Sequence, residues 1–208
     1  MGGTFNPPHL GHLAIALHAR DELGLYPVLL IPAQIPPHKP TAEDPGSEHR
    51  LRMCGLLVEH APGLSVCPIE IERGGRSFTV DTLEVIHASH PDAELTFILG
   101  ADTASTLPAW HEPAKLLELA DLAVVARAGS ARGEVLDTVA SLSEVSGDSS
   151  AGDSSAVRFL DMPVIDVSSS MVRRRLARGE PIDDLVGSAV AGYIEEHGLY
   201  GKRREEAS

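Results

Sequence analysis

The chain has 208 residues, 43% hydrophobic and 23% charged, long and apolar enough to bury one sizeable core, which excludes a disordered polymer. Its 30 acidic against 17 basic residues give a formal net charge of -13, so its long-range field repels polyanions and argues against a nucleic-acid or anionic-membrane surface. Cys54 and Cys67 are too few for a disulfide framework and no apolar run reaches spanning length, so a cytoplasmic protein is expected, with a homo-oligomer left open.

The first eleven residues after Met1, GGTFNPPHLGH, hold three glycines, two prolines and two histidines. The stretch HLAIALHARDELGL that overlaps them carries a broad apolar arc of helical period, closed by Gly24. PVLLIP follows, a short apolar run bounded by prolines, which suits a strand covered on both faces. AQIPPHKPTAEDPGSE has no periodicity and reads as a long loop of the functional kind, ahead of a helix from about Glu48 to His60. LSVCPIEI, ELTFILG and LAVVAR are the next predicted strands, separated by the helical stretches TVDTLEVIHASH and PAKLLELA.

Ser141 to Ala156 is rich in Ser, Gly and Asp and reads as a flexible surface loop. MPVIDV is the last predicted strand, SSSMVRRRLARGE a helix opening with serines, and GSAVAGYIEEHGLY the final helix before a frayed charged tail. The alternation predicts an α/β fold, a doubly wound parallel sheet with helices on both faces. A single domain over residues 1–208 is expected, with a small C-terminal helical portion from about 168 to 200.

In such a sheet, ligands bind beyond the carboxyl ends of the strands, against the N-termini of the helices that follow. Gly2 and Gly3 let a phosphate or ribose approach the backbone, Pro7 and Pro8 stiffen the turn, and free N–H groups near Gly11 to Leu13 would face an anion. His9 and His12, three residues apart, can project on one side of that helix entrance. Imidazoles near a helix N-terminus are pushed toward neutrality, whereas a bound polyphosphate favours the doubly donating charged form. Arg127, ending LAVVAR, falls on the same carboxyl edge. Asp102, just after a strand and Gly100, could accept from ribose hydroxyls. Capping is the plain alternative for Asp102, and a surface ion pair for Arg127.

These residues resemble a known superfamily. GTFNPPHLGH is similar to the T/H-x-G-H signature of the nucleotidylyltransferases, and VSSSMVRRRL to their second signature near the C-terminus. PPHK, RSFTVDTL, ILGADT, LPAW and YIEEHGLY extend the resemblance to bacterial nicotinate-nucleotide adenylyltransferases over nearly the whole chain. The resemblance implies a Rossmann-like nucleotidylyltransferase fold and transfer of AMP from ATP to nicotinate mononucleotide, giving nicotinate adenine dinucleotide and pyrophosphate in NAD biosynthesis. Because the attacking phosphate is already largely anionic at neutral pH, no general base is required, and positioning with charge stabilisation suffices.

On that reading His9, His12 and Arg173 act on the phosphates. Gly2, Gly3, Thr4, Phe5, Lys39, Asp102, Arg127, Ser168, Ser169 and Ser170 hold ATP, while His38, Thr79 and Trp110 hold the acceptor, the indole stacking on its pyridine ring. Arg174 and Arg175 are expected at the surface. Mg²⁺ is expected as the counter-ion of ATP, with no ligand from the chain named. Two other readings remain, a related adenylyl- or cytidylyltransferase with another phosphorylated acceptor and a non-catalytic nucleotide-binding module.

The chain departs from the family pattern at its start. A hydrophobic strand normally precedes the GGTF turn, yet only Met1 stands there, so the sheet is expected to lack its first strand and the native chain to begin several residues upstream. Milder departures are Asn6 for aspartate, Ser170 for threonine and Gly187 for proline.

Overall fold

In the computed structural model, which describes residues 1–36, 43–126, 132–145, 157–163 and 165–201, the apolar runs become short parallel strands and the helical stretches cover both their faces. The first half runs β1 (Gly2–Gly3), α1 (Leu10–Leu23), β2 (Val28–Pro32), α2 (Ser47–Val58), β3 (Leu64–Val66), α3 (Ile69–Arg73) and α4 (Thr79–Ser89). The second half runs β4 (Thr96–Gly100), α5 (Ala101–Ala104), a 3-10 turn at Leu107–Ala109, α6 (Pro113–Leu119), β5 (Asp121–Ala126), α7 (Arg132–Val145) and β6 (Val157–Asp161). Three helices close the described chain, α8 (Ser169–Ala177), α9 (Asp183–Val186) and α10 (Ser188–Glu196).

The period-two alternation of β4 and β5 divides the interior. Ile98 and Ala123 face a core shared with β2, α1, α2, α9 and α10, where Leu30, Met53, Val186 and Ile194 are buried. Phe97, Leu99, Leu122 and Val124 face the opposite layer, with Leu83 of α4, Leu116 of α6 and Val135 of α7. A strand flanked by helices on both sides must be apolar on both faces, which is why VLLIP and DLAVVA read as runs and not as alternations. Burying each such side chain contributes roughly 1.5–3 kcal/mol. Gly24, at φ 65, ends α1 in the left-handed conformation foreseen for it.

All ladders are parallel, in two three-stranded arrays ordered β1-β2-β3 and β4-β5-β6. The expected lack of a first strand is corrected in part. Met1 to Gly3 do lie along β2: the Met1 amino group donates to Leu29 O at 2.8 Å, Ile31 N to Met1 O at 3.0 Å and Ala33 N to Gly3 O at 2.9 Å. On the other side Phe97 of β4 approaches Gly2, but no ladder joins β1 to β4 among the described residues.

Three element boundaries also differ. LSVCPIEI is a strand only to Val66, because Pro68 interrupts it and starts α3. The described residues of MPVIDV form no strand; β6 is VRFLD, Val157–Asp161, whose Arg and Asp mark an edge position beside β5. Of the loop expected over 141–156, residues 141–145 belong instead to α7; residues 146–156 lie outside those described. No helix among the described residues is long and apolar enough to cross a membrane.

Candidate active site

The chain leaves β1 into a tight turn. Phe5 takes a left-handed φ of 50 although it carries a Cβ, and its buried ring lies where a side chain on Gly3 would go: a Cβ there would stand 3.2 Å from the ring. The same ring meets His12 edge-on, centroids 4.9 Å apart. After a cis Asn6–Pro7 peptide, His9 becomes the N-cap of α1 in an extended conformation. His12 N and Leu13 N bond back to His9 O, so of the amides expected to be free only those up to Gly11 remain at the helix start.

His9 and His12 do come together, their rings stacked with centroids 3.6 Å apart at 27°. His9 N donates to His12 Nδ1 at 3.2 Å, which puts the proton of a neutral His12 on Nε2. A Cβ on Gly11 would sit 3.0 Å from His9 Nδ1, so only glycine leaves room for this ring. Burial lowers the His9 pKa to about 4, and burial together with the neighbouring His9 lowers His12 to about 3. Without a ligand both imidazoles are therefore neutral at neutral pH, and His9 Nδ1 is buried with no partner among the described residues.

The second helix start converges on the same turn from 160 residues away in the sequence. Ser168 caps α8 by accepting from Met171 N at 3.2 Å, while Ser169 Oγ donates to Pro7 O at 2.8 Å. Arg173 Nη1 donates to Asn6 O at 2.6 Å, and its Nε lies 3.6 Å from Glu43. Tyr200 OH donates to Asn6 Oδ1 at 2.7 Å, a buried contact that sequence reasoning missed. Ser170 and Arg174 are exposed, and Arg175 is taken by Asp184 at 2.7 Å. Arg173 and Ser169 thus act first as struts of the turn.

On the other side of Gly2, Gly3 and Thr4 opens a cavity of about 670 Å³ that also meets Thr79, Asp102 and Trp110. Thr79 is the first residue of α4 and Asp102 lies in the first turn of α5, so two more helix starts border it. Trp110 is partly buried, edge-on to Phe97 at 6.0 Å, donates from Nε1 to Thr106 Oγ1 at 3.0 Å and lines the cavity. Phe78 and His111, with ring centroids 4.5 Å apart, line it too. Both were unassigned, though each is the sequence neighbour of a chosen residue. Glu70, another lining residue missed, is buried and accepts from Thr82 Oγ1 at 2.8 Å; burial raises its pKa. His38, Lys39 and Arg127 lie outside the described residues.

The arrangement is a donor-rich crevice in a strongly acidic protein: two uncharged imidazoles, two helix starts and the Arg173 guanidinium around one turn, next to a roomy, mainly apolar cavity. Such a site can receive an elongated anion with a flat ring at one end.

The profile of the cytidylyltransferase-like family matches residues 1–175. Over 199 residues the chain is 39% identical to a probable nicotinate-nucleotide adenylyltransferase of Salinibacter ruber, covering 96% of this chain and 95% of that one. A protein of the same description from Geobacillus thermodenitrificans is 40% identical over 206 residues, 99% of this chain and 87% of its own. Among solved structures, Plasmodium falciparum nicotinic acid mononucleotide adenylyltransferase complexed with NaAD has the same fold, with a TM-score of 0.75 at 17% identity over 96% of this chain and 94% of that one.

Proposed function

This chain belongs to the cytidylyltransferase-like family and, within it, to the nicotinate-nucleotide adenylyltransferases, and we propose that it moves AMP from ATP to nicotinate mononucleotide in the crevice between the starts of α1 and α8. The observation that carries the reading is the meeting of His9, His12, Ser169 and Arg173 on one turn, Thr4 to Pro7, whose first residue, Thr4, also lines the cavity. The products are nicotinate adenine dinucleotide and pyrophosphate.

Gly2 to Phe5 and Asp102 take the nucleoside side of ATP, while Ser168 to Ser170 and the amides at the start of α1 take its phosphates. Thr79 and Trp110 receive the mononucleotide, the indole face against the pyridine ring. The acceptor phosphate attacks the α-phosphorus in line, the bond to the β-phosphate oxygen breaks, and pyrophosphate leaves. His12 Nε2–H and Arg173 donate to oxygens that gain charge as this happens. Lys39, Arg127 and His38 belong to the same proposal on the strength of the sequence pattern.

Among the described residues no group of three or more His, Cys, Asp or Glu is gathered as a metal site, so the residues fit a divalent ion carried by the triphosphate and not one held in a protein cage. Such an ion, Mg²⁺ by preference, neutralises phosphate charge when bound. A cytoplasmic location completes the reading.

Two tests follow. Pyrophosphate release with ATP and, in parallel, nicotinate and nicotinamide mononucleotides should be clearly faster with the acid form; release with neither acceptor would sink the assignment. The second is a proton balance. Buried imidazoles at about 4 and about 3 must be raised by a bound polyanion, so binding takes up protons between the free and bound values, and affinity rises as pH falls through that window. Calorimetry of a non-hydrolysable ATP analogue in buffers of different ionisation enthalpy should register uptake that is smaller in His12→Asn. For folding the sign is the same as for any depressed base: the unfolded histidines protonate first, so stability is lost as pH falls below the ordinary value of 6.5.

A further inference from the structure

Arg50 has no exposed surface at all. It lies on α2 and its guanidinium spends its three nitrogens on three separate segments: Nη1 donates to Thr4 O at 2.8 Å, Nη2 to Gln34 O at 3.2 Å and Nε to Asp44 Oδ1 at 3.0 Å. The first two acceptors are the carbonyls just beyond the ends of neighbouring parallel strands. Gly3 pairs with Pro32, Pro32 has no N–H to offer, and the last rung is Ala33 N to Gly3 O. Arg50 supplies donors where the ladder stops, one to each strand's continuation. Asp44, whose carboxylate also accepts from Gly46 N at 2.9 Å beside the start of α2, fixes the guanidinium plane. Gln34 is held a second time, its N–H donating to Ser77 Oγ at 2.8 Å.

A buried ion pair is a poor source of stability, because desolvation offsets most of the attraction and apolar side chains of like volume often do as well. What a guanidinium supplies and a methionine cannot is a rigid planar fork with donors at fixed angles. The fork ends at Thr4, one residue before the left-handed Phe5 and on the turn that His9, Ser169 and Arg173 share. We infer that Arg50 is a positioning residue for the reaction: it locks the turn Thr4–Pro7 to the segment after β2, so that the imidazoles and the cavity mouth keep one relative placement. This inference rests on the adenylyl-transfer reading for its kinetic consequence, but not for its structural one.

Arg50→Lys keeps the charge and can satisfy one acceptor of the three. It is expected to lower kcat by about 10²-fold, the cost of a misplacement on the ångström scale, with the KM of both substrates nearly unchanged. Amide hydrogen exchange without substrate should show residues 2–9 losing protection relative to residues 53–58 of α2. A melting temperature lowered while the folded enzyme keeps its kcat, or a rise confined to KM, would overturn the proposal, as would unchanged protection of the turn. Should Arg50→Lys fail to fold, Asp44→Ala carries the same pair of readouts: loss of both supports the inference, and retention of either overturns it. A wild type that releases no pyrophosphate would defeat the functional reading, while the exchange measurement would still decide whether Arg50 holds the turn.

Discussion

Replacing His12 by alanine is expected to lower kcat for pyrophosphate release by roughly 10²–10³-fold, the usual cost of one donor aimed at developing charge. His12 is chosen over His9 for a geometric reason. The bond from His9 N holds its Nδ1 as an acceptor, so the proton is fixed on Nε2 before any substrate arrives. A neutral imidazole with its tautomer set in advance donates without a titration step, and it gains a second favourable term if the triphosphate raises its pKa. The fold should hold, because His12 lies in the first turn of α1, at least one turn before Ala16 and Ala19, the fully buried positions of that helix, which the substitution leaves in place. Two measurements check this: steady-state turnover and the melting temperature. Wild-type turnover in His12→Ala would remove the central assignment, and a collapsed melting temperature would be separated from it by His12→Asn, which keeps a donor and a similar volume.

The parts legible in the sequence were those with a strong local cause. The run VLLIP, the arc of α1 with its terminating Gly24, and the serine cap of α8 each rest on neighbours close in the chain, and each stands where expected. The pairing of His9 with His12 was legible from spacing alone. What could not be read were contacts between distant segments. Nothing in SEHRLRMC says that Arg50 turns inward, since a lysine or arginine on a helix is ordinarily solvated, and only three carbonyl and carboxylate acceptors from elsewhere make its burial tolerable. Glu70 in IEIER was hidden for the same reason: its partner Thr82 lies on another helix. β6 was missed because VRFLD looks polar, and an edge strand needs only one apolar face; MPVIDV looked better by composition and is interrupted by Pro163. The candidate site residues were chosen through glycine, histidine and serine, whose placement is governed by the backbone turn they sit in. Those that support them were not, because support is a tertiary property.

Arg173 offers the sharpest contrast within one helix. Its Nη1 holds Asn6 O at 2.6 Å and its Nε faces Glu43, whereas Arg175, two residues on, is spent on Asp184 at the surface. Arg173→Ala removes both a strut of the turn and a guanidinium beside the crevice, so kcat should fall by about 10²–10³-fold. Arg175→Ala breaks an exposed pair worth about 0–1 kcal/mol and should leave turnover close to that of the parent. Arg173→Lys should recover only a small part of the loss, since one ammonium cannot hold a carbonyl and face a phosphate with the spacing of a planar fork. If Arg173→Ala and Arg175→Ala behaved alike, the basic residues of α8 would be no more than a solvated face. If Arg173→Lys matched the wild type, charge alone would be acting, and the bond to Asn6 O would have no part in placing the turn. A loss in Arg173→Ala that lysine does not restore, beside a silent Arg175→Ala, is the pattern required if the late helix both builds the early turn and meets the ligand that the turn receives.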